Sequence, residues 1–204
     1  MSNSYNVVQF SDFKDLAKED ERFAEVFESM LASFSNNGIN KDVETFIKKK
    51  AEQFDNMNMA KTYLVMDKGL NEICGYYSIV SKSITIKQRD WGKLSKSVRK
   101  KLNPFGYKDT SSDQNIPAIL LGQLGRNFNA DNKISGNELL SLSFETIKSI
   151  SSQIGGRYLY LEADDTQKLT NFYTNHGFSY LSFVDGSCYK TKNNQVMFIK
   201  KMND

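Results

Sequence analysis

A mixed α+β fold is what this sequence predicts, with a mostly antiparallel central sheet and helices on both of its faces. Three observations predict it. Strand-patterned runs stand near both ends of the chain, two amphipathic helices follow the first of them, and an apolar strand leads directly into a long amphipathic helix across Leu120–Phe144. The 204 residues are enough for one sizeable core, and a charged fraction of 25% against 39% hydrophobic excludes wholesale disorder. No apolar run approaches the ~18 residues of a membrane span, and the polar opening MSNSYN does not resemble a signal peptide, so no membrane role and a cytoplasmic location are expected.

Taken in order, Tyr5–Phe10 reads as a short strand followed by a polar turn. Phe23, Val26, Phe27, Met30, Leu31 and Phe34 form a helical stripe over Asp20–Phe34, which Asn36-Asn37-Gly38 ends. Lys41–Asn56 is a second helix, with Val43, Phe46, Ile47, Ala51 and Phe54 inward. Thr62–Met66 and Glu72–Val80 read as strands joined by the polar hairpin loop Asp67–Asn71, and Ser83–Ile86 continues the second strand or begins a third. From residue 88 to about 115 the pattern changes to an inserted basic helical segment. Its apolar face is Trp91, Leu94, Val98 and Leu102, Asn103-Pro104 stops it, and Tyr107–Asn115 is polar.

Ile116–Gly125 is apolar and branched, as a buried strand requires. Leu139, Leu140, Leu142, Phe144, Ile147 and Ile150 then recur at helical spacing from Gly136 onward. Arg157–Ala163 alternates as a strand, Asp164-Asp165-Thr166 offers N-cap chemistry for a helix through Asn175, and Gly177 closes that helix. Phe178–Val184 and Gln195–Lys200 are two final strands paired across the Asp185–Asn194 loop. The expectation is a single domain over residues 1–204, ordered β, α, α, β, β, insert, β, α, β, α, β, β.

Composition removes several kinds of chemistry. Cys74 and Cys188 are too few for a disulfide framework, and His176 as the only histidine excludes a His-rich metal site, so no metal is expected. A Ser-His-Asp or Cys-His relay would have to run through His176. Charge is distributed unevenly: residues 1–60 carry seven Lys/Arg against eleven Asp/Glu, while Lys87, Arg89, Lys93, Lys96, Arg99, Lys100 and Lys101 face only Asp90. A field of that sign attracts polyanions, although a basic run is also the ordinary solvated face of a helix.

The strand, small residues and helix around Ser135-Gly136 direct backbone N–H groups out of a helix N-terminus, where an anion is favoured. A glycine at a helix start is also an ordinary turn residue, and both readings stand at this point.

Three motifs resemble the GCN5-related N-acetyltransferase (GNAT) family. They are Leu120-Leu-Gly-Gln-Leu-Gly-Arg126 leading to Lys133-Ile-Ser-Gly-Asn-Glu-Leu-Leu140, Asn171-Phe-Tyr-Thr-Asn-His-Gly-Phe178, and the strand–hairpin–strand run over Thr62–Ile79. The resemblance covers most of Lys61–Lys201. It implies an acyl-CoA-dependent N-acyltransferase that moves an acetyl group from acetyl-CoA to a primary amine by direct attack. It further implies that Leu124, Gly125, Arg126, Ile134, Ser135, Gly136, Asn137 and Thr166 hold the cofactor. A main-chain N–H at Leu124 or Gly125 would polarise the thioester carbonyl, and Tyr173 would protonate the departing thiolate. Tyr173 with Phe172 also fits plain packing of a helix on a sheet.

This sequence departs from the family pattern at Ile134, where the first loop glycine is usual, and at Thr166, where asparagine is common. Glu162 and Glu72 are candidate bases. The acceptor is a small-molecule or peptide amine, with tRNA as another partner class that resembles the toxin branch of the family, and a homodimer is a further expectation. Two other readings are a tRNA-acetylating toxin of a toxin–antitoxin pair and a catalytically silent CoA-binding domain.

Overall fold

A computed structural model of the chain describes residues 5–202. It falls into two compact units, one made of the chain up to Val80 with Gly122–Ser149, the other of Ser81–Leu121 with Ile150 onward.

In the first unit, β1 (Asn6–Gln9) pairs antiparallel with β2 (Lys61–Met66), which pairs antiparallel with β3 (Ile73–Ser81). The strand order continues to β7 (Ala118–Arg126). The β2–β3 hairpin is tied by Asp67, whose Oδ1 accepts from the N–H groups of Asn71 (2.6 Å) and Glu72 (2.9 Å) and whose Oδ2 accepts from Gly69 (3.1 Å). A carboxylate closing its own turn in this way is the reason aspartate favours such loops.

The expected polar turn after β1 is instead a helix, α1 (Phe10–Glu19), followed by α2 (Glu21–Ser33). Phe10, Phe13 and Ala17 share one face of α1, and Asp20 separates the two helices by accepting from Arg22 (2.9 Å) and Phe23 (3.2 Å) as N-cap of α2. Phe10 and Phe13 meet Phe27 at ring separations of 5.5 and 5.4 Å, so burial of aromatic surface holds α1 where its Ser11-Asp12 opening suggests a turn. Lys41–Asn56 is helical as expected, as α3 (Lys41–Thr45), a π turn (Phe46–Lys50) and α4 (Ala51–Asn56). Phe46 and Ile47 face the core from the π turn. Inside this unit Tyr76 donates to the Val43 carbonyl at 2.6 Å, and the Tyr77 and Thr146 hydroxyls share a 2.6 Å bond.

In the second unit the expected insert contains ordered strands. β4 (Ile84–Ile86), β6 (Gln114–Ile116) and β5 (Tyr107–Lys108) make a small antiparallel sheet, and the basic run becomes two short helices, α5 (Gln88–Trp91) and α6 (Lys96–Leu102), with a 3-10 turn at Asn103–Phe105. Asp109 orders the polar stretch by accepting from Ser111 (2.9 Å), Asp113 (3.0 Å) and the Asn115 amide (3.0 Å). Pro117, which lacks an N–H, separates β6 from β7.

The first residues of β7 run parallel to β8 (Tyr158–Ala163), with Ala118↔Tyr158, Ile119↔Leu159 and Leu120↔Tyr160 in register. β8 pairs antiparallel with β10 (Val196–Lys201), and β10 with β9 (Ser179–Tyr180). The expected strand over Phe178–Val184 is thus only two residues long before the chain becomes irregular. The core of this unit gathers Ile84, Ile86, Leu102, Ile116, Tyr158 and Leu181. Two further helices are α7 (Gly136–Ile154), most of which belongs to the first unit, and α8 (Gln167–Asn175) in the second. Among the described residues no helix is long and apolar enough to cross a membrane.

Several tyrosines are buried deeply enough to resist ionisation. Burial pushes the phenols of Tyr76, Tyr77 and Tyr160 well above their ordinary value and that of Tyr173 up to about 12. In the unfolded chain they ionise from their ordinary value of 10.0. Above that pH the unfolded state binds fewer protons than the folded one, so stability falls as pH rises towards the folded values. Denaturant unfolding should give a free energy without this tyrosine contribution between about pH 6 and 9 and a loss of ~1.4 kcal/mol per buried tyrosine near pH 11.

Candidate active site

The turn from β7 into α7 is built in the first unit. Asn127, next after the strand, is buried; its amide donates to the Ile73 carbonyl at 2.7 Å and its oxygen accepts from Ser35 and Asn129, both at 3.0 Å. Glu72, from the hairpin, takes the next part of the loop. Its Oε2 accepts from the Asp131 N–H at 2.8 Å, and its Oε1 from the Asn132 N–H at 2.8 Å and the Asn132 amide at 2.7 Å. Burial alone would raise this carboxyl, but the bonds from Asn132 and Asp131 outweigh it and the group lies below its ordinary range. A carboxylate committed in this way is a loop clamp. The structure gives Glu72 that role in place of the one expected of a base.

The residues nearest the helix combine open and occupied donors. Ile134 is 2% exposed, with its side chain in the core, and its carbonyl accepts from Arg126 at 3.4 Å. The Arg126 guanidinium also lies 4.6 Å over the Phe128 ring, and the Lys133 ammonium donates to the Phe128 carbonyl. Ser135 and Glu138 form a capping box: the Ser135 N–H donates to the Glu138 carboxylate at 2.9 Å and the Glu138 N–H to the Ser135 hydroxyl at 3.2 Å. These bonds to Ser135 hold the Glu138 carboxyl below its ordinary value. The Ser-x-x-Glu spacing at 135–138 is readable in the sequence, and Glu138 is the residue that the sequence reading passed over.

The N–H groups of Ile134, Gly136 and Asn137 have no acceptor among the described residues. Gly136 and Asn137 open a 19-residue helix, whose aligned dipoles favour an anion there. This donor set fits a phosphate group of a coenzyme A. One sequence-predicted member of the cofactor set, Gly125, has another duty. A Cβ on Gly125 would stand 2.5 Å from Val43 and 2.7 Å from Tyr76, so close packing of the core requires that glycine. Leu124 lies beside it in β7, partly exposed.

The second unit holds the remaining two residues. Thr166 is the N-cap of α8, its hydroxyl accepting from the Leu169 N–H at 3.3 Å. Because that bond uses an oxygen lone pair, the hydroxyl proton is available to an acceptor. Tyr173, one turn from the end of α8, has its ring against Phe172, Phe178 and Phe198 at 5.1, 5.7 and 5.2 Å. Its hydroxyl has no partner among the described residues, and burial alone accounts for its raised pKa of about 12. The ring therefore packs the helix on the sheet, and the hydroxyl also stays protonated at neutral pH.

His176 completes the helix end rather than a relay: its Nδ1 lies 2.7 Å from the Phe172 carbonyl, and its own carbonyl accepts from Lys200 at 2.6 Å. Gly177 adopts φ +82°, and a Cβ there would meet the Lys200 ammonium at 2.7 Å, which explains the glycine after the helix. Glu162 stands in β8 opposite Met197.

The strand order, the parallel β7–β8 pair and the helices that follow each of those strands are the GNAT fold. Solved structures with this fold include a tyrosine-to-phenylalanine mutant of the toxin AtaT, at TM-score 0.61 and 17% identity over 98% of this chain and 91% of that one. AtaT complexed with acetyl-methionyl-tRNAfMet matches at TM-score 0.58 and 20% identity, covering 82% of this chain and 85% of that one. A tyrosine-to-phenylalanine mutant of KacT matches at TM-score 0.58 and 18% identity over 95% and 94% of the two chains. No protein-family model and no curated protein matches the sequence.

Two substitutions check this geometry. Gly125→Ala should lower stability by about 1–3 kcal/mol through overpacking against Val43 and Tyr76, measured by denaturant unfolding. Glu72→Ala should leave the Asp131 and Asn132 N–H groups without their acceptor and speed their hydrogen exchange at least about tenfold. In the wild type the same clamp holds above the ordinary carboxylate pKa and is lost as pH falls through the lowered folded value.

Proposed function

We propose that this protein is an acetyltransferase that moves an acetyl group from acetyl-coenzyme A to a primary amine. The observation that carries the proposal is the start of α7, where the N–H groups of Ile134, Gly136 and Asn137 lack acceptors among the described residues, on a fold shared with solved acetyl-CoA complexes of AtaT. Their backbone donors would hold the pyrophosphate, with the Arg126 and Lys133 side chains beside them. The hydrogen bonds within the Ser135–Glu138 box leave an anionic carboxylate next to those donors, which weakens the seat.

A bound acetyl-CoA supplies an activated thioester whose carbonyl accepts a nucleophile. The chain's own share is to orient and to manage protons. Main-chain N–H donation at Leu124 or Gly125 would polarise the carbonyl, and the Thr166 hydroxyl has a proton to offer the cofactor. Tyr173 holds a proton at Oη throughout the neutral range, so it can donate a hydrogen bond to a developing thiolate. Transfer from a phenol at about 12 to a thiolate of ordinary basicity, ~8.5, is uphill in the unliganded protein, so Tyr173 acts first as a hydrogen-bond donor.

Among acceptors, an amine carried on aminoacyl-tRNA is favoured by one observation: a toxin of this fold has been solved with acetyl-methionyl-tRNAfMet. That makes a tRNA-acetylating toxin the finer reading. The competing reading, a silent binding domain, draws on Ile134 in place of a loop glycine and on the Glu138 carboxylate.

Acetyl-CoA at a hundredfold excess over its Kd should stabilise the protein by about 2.7 kcal/mol in a thermal-shift titration. No shift at millimolar acetyl-CoA would remove the enzyme reading. Tyr173→Phe should keep that shift and lower turnover by roughly 10²–10⁴-fold. Undiminished turnover would take Tyr173 out of the chemistry and leave it as a packing residue.

A further inference from the structure

The second unit contains a cleft of about 600 Å³ at the starting end of β8, lined by Lys100, Lys101, Phe105, Arg157, Tyr158 and Tyr180, with Lys200 and Lys201 at the end of β10. No carboxylate is among its lining residues. It stands apart from the N-cap of α8. Tyr158 and its partner Lys201 lie at one end of the β8–β10 ladder, and Ala163, from which the chain continues to Thr166, lies at the other, ~17 Å away.

The fold sorts the basic run into paired and unpaired cations. Lys87 is neutralised by Asp113 at 2.6 Å, and Lys93 and Arg89 share Asp90 at 3.2 and 3.6 Å. Lys100, Lys101 and Arg157 have no carboxylate partner among the described residues. Aromatic surface is set among these cations. The Arg157 guanidinium lies 4.3 Å over the Phe105 ring, its Nε has no acceptor among the described residues, and Phe105 meets Tyr158 edge-on at 6.2 Å. Tyr158 donates to the Lys101 carbonyl at 2.8 Å, which fixes the end of α6 against β8. Phe105 and Tyr180 remain 37% and 38% exposed, so large rings face solvent in a region that otherwise presents positive charge.

A ligand matched to both features carries phosphates and accessible planar faces. We infer that this cleft docks a single-stranded nucleic-acid segment, its backbone against Lys100, Lys101 and Arg157 and a base against Phe105 or Tyr180. Duplexes present phosphates but keep their base faces stacked, and an acidic peptide supplies charge without a plane. The inference deepens the acceptor half of the reading above, since it adds a second contact for an RNA acceptor, but the binding itself requires neither acetyl-CoA nor turnover.

The test is fluorescence anisotropy of the full chain with a labelled ten-nucleotide oligouridine across a salt series, without acetyl-CoA. Binding should weaken with salt, and Lys100→Ala with Lys101→Ala should flatten the log–log slope by about 1.4, at ~0.7 per cation. Phe105→Ala should weaken binding about tenfold at fixed salt with the slope unchanged, and Phe105→Trp should restore it.

An unaltered affinity for Phe105→Ala would overturn the inference, as would equal competition by a blunt RNA duplex or by poly-glutamate. A loss for Phe105→Ala that Phe105→Trp does not restore would overturn it too, because packing rather than stacking would then be the cause. Oligouridine binding with no acetyl-CoA thermal shift would sink the cofactor reading alone, whereas a thermal shift with no oligouridine binding would sink this one alone.

Discussion

The grip of Glu72 on the backbone of Asp131 and Asn132 is the interaction on which the rest of the candidate site depends. β7 ends at Arg126 and α7 begins at Gly136, and the chain between them must turn without a regular ladder to satisfy its polar groups. Glu72 reaches this turn from the β2–β3 hairpin, and Asn127 ties the start of the loop to Ile73 and Ser35. With those donors consumed, the ones left open are concentrated at the first turn of a long helix. An anion seat made of backbone depends less on side-chain identity than on this restraint, which is why isoleucine at position 134 is compatible with it: the side chain turns into the core and the N–H remains.

The same loop carries an electrostatic tension. Glu72 and Glu138 both stabilise the turn as carboxylates, and Glu138 does so through Ser135, next to the open N–H groups of Ile134 and Gly136. Arg126 and Lys133 offset this only in part, because each also holds a main-chain carbonyl or ring of the loop. Rigidity and affinity therefore oppose one another here. The capping box secures α7, while its carboxylate raises the electrostatic cost of binding an anion beside it.

In the second unit, Tyr173 is enclosed by Phe172, Phe178 and Phe198, so burial keeps its phenol protonated without any charged neighbour being needed. At the start of β8, Phe105 and Tyr158 sit with Arg157 and the end of α6, and no carboxylate is among the cleft's lining residues.

Much of the fold was legible locally. The helical stripe of α7, the N-cap chemistry before α8, the glycine after it and the Asp67 hairpin all act within a few residues of themselves, so their pattern survives in the sequence. The resemblance carried by Asn171–Phe178 and Leu120–Leu140 placed Tyr173 and Gly136 on the elements where they are found. The misses have a common cause. The α1 segment has a turn-like opening yet is helical because Phe27 packs on it across the core, and Tyr107–Asn115 is polar in pattern yet carries strand pairing because Asp109 orders it. Glu72 meets Asn132 across 60 residues of chain, and Lys101, Phe105, Arg157 and Tyr180 share a cleft only because β8, β9, β10 and α6 are packed in one unit. The sequence by itself determined the elements whose signals are local, such as the apolar stripe of α7 and the N-cap of α8. Only the tertiary structure decided which carboxylates are consumed as clamps and which cations remain unpaired, because hydrogen bonding and charge neutralisation depend on distance in space and not on separation along the chain.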